Sequence, residues 1–311
     1  MARFFCFGGA HFDRTARCKT TFLSGASNPV AVTSSLGGAA LNTAFNLKRL
    51  DGDVSLISIL GDDAAGESVA RAMSSLGLAR DGLIFRAHQA TATYTAILDR
   101  EGSLVAGLAD MDIYEDVLAA ECLEALNALP HVPKAGDYAF LDCNLPEVVL
   151  ADLTEGLGCL GVKIAVAAIS PAKLRRLVSS MDRIDFLFCN IAELAALTAQ
   201  DISDDAALSE SAKHISSERN LTLFVTRGAK GVKLFDRGTP GDYPAAAAEV
   251  IDVNGAGDAF AAGTLSALAR QRTLAQAIFL GQAAAALTLE ISGSTTPGLS
   301  WDALQARLSK A

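Results

Sequence analysis

From residue 116 onward the chain alternates compact apolar runs, at 138–141, 163–169, 185–188 and 221–225, with helix-favouring stretches near Glu147, Pro171, Ala192 and Asp204. Short apolar runs without polar alternation predict strands buried on both faces. Strands that alternate with helices predict a mostly parallel sheet, an α/β fold with helices on both sides. In such a sheet ligands gather at the carboxyl ends of the strands. Here each run ends in polar residues: Asp142 and Asn144, Ser170 and Lys173, Asn190 and Glu193, Thr226 and Gly228, then Asp252 through Asp258. A carboxylate, amides, a lysine, a hydroxyl and glycines recurring at successive strand ends predict one shared site rather than unrelated caps and turns.

The earlier part of the chain adds two strands to that sheet, at 3–7 before Gly8 and Gly9, and at 54–60 before Gly61. Residues 10–35 are short polar and β-branched pieces with turns, and 91–98 and 103–109 alternate around DREG, Asp99 to Gly102. That is a hairpin pattern, and together these pieces predict a small, partly exposed antiparallel sheet. Gly37 and Gly38 introduce a helix at 39–50, where Asn42 and Asn46 share one face and Leu41 and Phe45 the neighbouring one. Buried amides require partners, which either a polyhydroxylated ligand or a capped loop would supply.

The stretch DVNGAGDAF, Asp252 to Phe260, carries the most chemistry. Gly255 and Gly257 permit a tight turn, Ala256 adds little bulk, and the residues that follow form helix readily. A helix start presents unpaired N–H groups and partial positive charge, a site for a phosphate or a developing phosphoryl anion. Asp258, in the first turn, would then take a proton from an attacking hydroxyl, with the dipole favouring its ionised form. The plainer alternative is that Asn254 caps the helix and Asp258 only complements the dipole.

With a net charge of -9 and no basic stripe, the chain is not built to neutralise a nucleic acid backbone. A nucleotide must be met by amides, a few cations and a divalent metal. The six cysteines form no CxxC pair, and Cys6, Cys143 and Cys189 lie in apolar strand-like runs, as buried reduced thiols would. His11, His88, His131 and His214 have no ligand spacing and read as structural or surface. Too short an apolar start for a signal peptide predicts a cytoplasmic protein. The apolar run 273–289, alanine-rich with two glutamines, predicts a core helix rather than a membrane span.

Two segments, GGAALNTAFNLKRLDGDVSLISILGDDAAG from Gly37 and DVNGAGDAF from Asp252, resemble the two signatures of the ribokinase-like (PfkB) sugar and nucleoside kinases. NIAE, Asn190 to Glu193, resembles that family's metal-associated NxxE, and TRGAKG, Thr226 to Gly231, its nucleotide-binding loop. The resemblance implies a single kinase domain over 1–311, with a lid built from about 11–35 and 90–113, and pairing through the lid into a homodimer. It implies ATP as donor and Mg²⁺ organised by Asn190 and Glu193, with a monovalent cation such as K⁺ near Asp252 and after Glu290. Asp258 would be the base, the amides of Gly255, Ala256 and Gly257 the anion hole, and Thr226, Gly228 and Gly231 the nucleotide wall. Gln282 stands near the family's base site, though a polar core position would suit it equally. GASNP, Gly25 to Pro29, and LDCNLPE, Leu141 to Glu147, are similar to segments of pseudouridine kinases. That likeness makes Asp13, Ser27, Gly38, Asn42, Asn144 and Lys173 candidate acceptor contacts. Leu41 stands where those kinases carry arginine, and Asn254 where they carry threonine. Other acceptors remain open, namely ribose, a hexose derivative or an ordinary nucleoside, as does a non-catalytic sensor with this fold.

Overall fold

The computed structural model describes residues 2–309. The first half runs β1 (Arg3–Phe7), β2 (His11–Cys18), β3 (Val30–Gly37), α1 (Ala39–Arg49), β4 (Asp53–Gly61), α2 (Ala64–Ser75), β5 (Leu83–Arg86), β6 (Thr93–Leu98), β7 (Leu104–Asp110) and α3 (Ala119–Ala128). There follow β8 (Tyr138–Asp142), α4 (Glu147–Cys159), β9 (Lys163–Ala167), β10 (Phe186–Asn190), α5 (Ile191–Thr198), α6 (Asp205–Glu218), β11 (Thr222–Thr226), β12 (Val232–Asp236) and β13 (Thr239–Tyr243). Three helices close the chain: α7 (Ala256–Ala269), α8 (Leu274–Leu289) and α9 (Trp301–Leu308).

Nine strands form one sheet in the order β13-β12-β11-β10-β9-β8-β1-β4-β5. All pairings from β11 to β5 are parallel, and only the β11–β12 and β12–β13 pairings, at one edge, are antiparallel. β1 shows why the sheet is buried on both sides. Phe4 and Cys6 enter the core layer that also holds Leu41, Phe45, Phe260 and Leu265, whereas Phe5 and Phe7 enter the one that holds Val149, Leu153 and Leu194. Each such fully buried apolar side chain contributes roughly 1.5–3 kcal/mol. The α8 run is a core helix as the sequence predicts, packed chiefly on α7, and no helix among the described residues is long and apolar enough to cross a membrane.

β1 leads to β4 on one side and abuts β8 on the other, so the strand order reverses at the β1/β8 boundary. A crevice opens at the strand carboxyl ends where such a reversal occurs. Above it stands a four-stranded sheet, β3-β2-β6-β7. Its β2–β3 and β6–β7 pairs are antiparallel, and β2–β6 is parallel because the chain crosses the large sheet between them. Asp13, Tyr94 and Ala109 are cross-strand neighbours and share one face; Val32, Ala16, Ile97 and Ala106 share the other.

Candidate active site

The crevice is held open by Asp142, at the end of β8. Its Oδ2 accepts from the Gly9 N–H at 2.9 Å and the Ala40 N–H at 3.0 Å, and its Oδ1 from the Asn144 N–H at 2.8 Å. Burial raises this carboxyl above the usual range, opposed by the three N–H groups. Asp142 thus ties the β1 end, the α1 start and the β8 end together. Gly38, with φ of 108°, is required at the α1 start, since a side chain there would run into the Gly9 carbonyl. Beyond Asp142, Asn144 is buried, and its Oδ1 accepts from Lys173 Nζ at 2.7 Å. Arg176 supports the same turn: Nη1 donates to the Asn144 carbonyl at 2.8 Å while Nη2 pairs with Glu115.

The opposite wall is the start of α7. Gly255 adopts φ of 73°, and a Cβ there would meet the Ser294 carbonyl, so glycine is needed for both reasons. No side chain caps this helix, and its first internal donor is the Ala259 N–H, 2.9 Å from the Gly255 carbonyl. The sequence alternative of an Asn254 cap is therefore not realised. Asn254 instead donates its backbone N–H to Asp252 Oδ1 at 3.0 Å, while Asp252 Oδ2 accepts from the Gly293 N–H at 3.0 Å. The uncapped start retains N–H groups for an anion.

Asp258 Oδ2 accepts from Asn42 Nδ2 at 2.8 Å, and Asn42 Oδ1 in turn accepts from Ser294 Oγ at 3.1 Å. Part of Asp258 remains accessible, yet its carboxyl sits behind the surrounding protein, and desolvation raises it to about 7. Asn42 and His11 oppose the rise, and Asp142 and Asp13 add to it. The sequence expectation that the dipole keeps Asp258 ionised is corrected here. Desolvation first, then Asp142 and Asp13, raise the carboxyl, leaving a group poised to take or give a proton near neutrality.

One cavity of about 670 Å³ brings Asp258, Gly255, Gly257, Gly38 and Asn42 together with Asn144, Lys173, Asn190 and Glu193. A second, of about 250 Å³, is walled by Thr226, Gly228, Gly231, Ala256 and Gln282 among mostly apolar neighbours. Gly257, Val253, Phe260 and Thr226 line both, so the two spaces meet one residue before the Asp258 carboxylate. Gln282 also donates from Nε2 to the Tyr243 carbonyl at 3.1 Å, so part of its amide is used by the fold. Asn190 and Glu193 form a reciprocal cap on α5: Asn190 Oδ1 accepts from the Glu193 N–H at 2.9 Å, and Glu193 Oε2 from the Asn190 N–H at 2.8 Å. The amide oxygen of Asn190 is thereby engaged. What the pair offers the cavity is the other oxygen of Glu193, whose carboxyl is raised by burial. Among the described residues no cluster of three or more His, Cys, Asp or Glu could hold a metal unaided. The free oxygen of Glu193 fits Mg²⁺, which keeps most of its waters and takes further oxygens from phosphates.

Two candidates lie elsewhere. Asp13 is on the cavity-facing side of the small sheet, with Oδ1 2.9 Å from His11 Nδ1, but does not itself line the cavity. Ser27 is exposed in a loop that Asn28 closes by bonding to the Leu23 and Ala26 carbonyls, and it does not reach the cavity. His11, read from sequence as structural or surface, lines the cavity instead. Tyr94 lies in the predicted lid and Ser294 in the segment after Glu290, but neither side chain was singled out by the sequence. The alternation in β6 and β2 would have put Tyr94 beside Asp13 had the register been known, and Ser294 is brought in only by tertiary packing.

The family model for pfkB family carbohydrate kinase matches residues 1–302. A pseudouridine kinase of Escherichia coli (strain K12) is 25% identical over 294 residues, 94% of this chain and 92% of that protein. A solved carbohydrate kinase from Agrobacterium tumefaciens is 36% identical with a TM-score of 0.81, covering 99% of this chain and 97% of its own. The Arabidopsis thaliana ribokinase solved with ribose and ATP shares the fold at a TM-score of 0.84 and 21% identity, over 99% of both chains.

Proposed function

The chain belongs to the pfkB family of carbohydrate kinases, phosphotransferases acting on hydroxyl groups, and on that premise we propose that it transfers the γ-phosphoryl group of ATP to the 5′-hydroxyl of pseudouridine. The observation that carries the reading is the junction at Gly257, where a polar space and an apolar slot meet beside Asp258 and an uncapped helix start. The apolar slot suits a nucleotide base, and the polar space suits a polyhydroxylated acceptor with the phosphates between them. As the acceptor oxygen bonds to the γ-phosphorus, the bond to the ADP oxygen breaks and the hydroxyl proton passes to Asp258. The first-turn amides of α7 stabilise the charge that develops on the phosphoryl oxygens. Magnesium, when bound, neutralises charge on the transferring phosphates, and Glu193 is the residue that would hold its water shell. Asn144 and Lys173 pair with hydroxyls or base edges of the acceptor.

Pseudouridine is supported by the Escherichia coli relative and by the GASNP and LDCNLPE segments. A second reading, a pfkB kinase for another sugar or nucleoside, is favoured by Leu41. Its side chain is fully buried, so the position that carries arginine in pseudouridine kinases contributes nothing to the cavity. A screen of ADP release across acceptors separates the two: the proposal requires pseudouridine to exceed uridine and ribose in kcat/KM. A free sugar ranking first overturns the acceptor, and tight binding without ADP overturns the kinase. The exposed Val32 and Leu108 on the small sheet support pairing of two copies through its outer face.

A further inference from the structure

Ser294 lies in the segment after Glu290, outside the two signature stretches, yet its side chain is buried and touches the groups that surround Asp258. Its Oγ is 3.0 Å from the Leu36 carbonyl and 3.1 Å from Asn42 Oδ1, and Asn42 Nδ2 is 2.8 Å from Asp258 Oδ2. Its own carbonyl rests against Gly255, which holds the loop against the α7 start. We infer that Ser294 is a positioning residue: acting through the Asn42 amide, it closes a hydrogen-bond network around Asp258 in both of that carboxyl's protonation states.

Donors and acceptors along this line must balance in each protonation state. A hydroxyl both donates and accepts, and an amide presents either end to a neighbour at nearly the same heavy-atom distances. When Asp258 is a carboxylate, Asn42 must point its NH₂ at it, and the Ser294 hydroxyl has two acceptors before it, Asn42 Oδ1 and the Leu36 carbonyl. It serves one. When Asp258 holds a proton, the carboxyl donates to Asn42 Oδ1, and the turned amide donates to Ser294 Oγ. Ser294 then donates to the Leu36 carbonyl. The hydroxyl makes one bond in the first state and two in the second, so it favours the protonated carboxyl while Asn42 favours the ionised one. The pair works as an opposed control on a single proton, which agrees with the intermediate proton affinity of Asp258.

The consequence is a sign that a bland packing role would not give. Removing the Ser294 hydroxyl costs the protonated state one bond more than the ionised state, so the Asp258 midpoint moves down, by about half to one pH unit for one bond. Removing the amide donor with Asn42→Leu moves it up. The other charged groups facing Asp258 are Asp142 from the end of β8 and His11 and Asp13 from β2, with Lys173 on the same cavity. They are the same in every variant, so the comparison cancels them.

The inference rests on Asp258 as proton acceptor, but the test reads the proton directly. Side-chain carboxyl ¹³C resonances of the ligand-free full chain are titrated, with Asp258 assigned by its loss in Asp258→Asn. Ser294→Ala should lower the midpoint, and Ser294→Thr, which keeps the hydroxyl, should return it. Ser294→Cys, close in size with a weak donor, should lower it by a smaller step and serves if the alanine variant does not fold. An unchanged or raised midpoint in Ser294→Ala or Ser294→Cys overturns the network. Retained turnover in Asp258→Asn would instead overturn the kinase base and leave the titration result standing.

Discussion

Replacing Asn42 by leucine removes the one side-chain donor recorded on the Asp258 carboxylate while nearly keeping the volume of a buried position. Hydrogen bonds to charged groups contribute roughly 1.5–3 kcal/mol, which is about 1–2 pKa units. Asp258 titrates at about 7, and losing the donor would carry that midpoint up to roughly 8–9. The base form exists above the midpoint, so at neutral pH its fraction falls from about a half to between a tenth and a hundredth. Turnover should therefore drop roughly 5- to 50-fold at pH 7 and recover as the pH approaches 10, provided the carboxylate form is the catalyst. The assay is steady-state ADP release from pH 5.5 to 10, with kcat and the acceptor KM fitted separately. The distinction matters because sequence reasoning makes Asn42 an acceptor contact, whereas its amide is engaged at both ends within the protein. A variant with an unmoved acid limb and a raised acceptor KM would refute the base-tuning argument.

Three further outcomes follow from the geometry. Gly255→Ala meets both the Ser294 carbonyl and a left-handed φ of 73°, and should lose about 2 kcal/mol or more in chemical denaturation; a loss below about 0.5 kcal/mol would contradict the tight fit. Asp258 binds its proton more tightly folded than unfolded, so its contribution to stability is present below about pH 4 and is lost as the pH rises through about 7. Asp258→Asn, which has no charge to desolvate, should gain in Tm over the native chain between pH 5 and pH 8, and a constant difference would refute the raised carboxyl. Leu108→Glu on the outer face of the small sheet should shift sedimentation velocity from a dimer to a monomer, and a native chain that is already monomeric would dismiss that pairing.

The parallel sheet and the strand-end site were legible because burial on both faces leaves an unmistakable mark: apolar runs such as 138–141 and 221–225, each followed at once by polar residues. Asn144, Lys173, Glu193 and Asp258 do line one cavity. What the chain hides is what only register and tertiary packing determine. Tyr94 enters the cavity because β6 pairs with β2 across more than seventy intervening residues, and no local pattern states that pairing. The protonation of Asp258 was misjudged for a related reason. A dipole can be read from a helix start, but what raises the carboxyl is first its burial and then Asp142 and Asp13, all of which folding alone brings about. Asn190 shows a third limit: the residues that resemble a metal motif are also a helix cap, and one lone pair of the Asn190 amide oxygen serves that cap.

The account stands or falls on Asp258 meeting the acceptor hydroxyl in front of the α7 amides. The most direct measurement is single-turnover phosphoryl transfer from ATP in Asp258→Asn, with the affinities for ATP and the acceptor measured alongside by calorimetry. The rate should fall by roughly 10²–10⁴-fold or more with both affinities near native. A rate within tenfold of the native chain would contradict it.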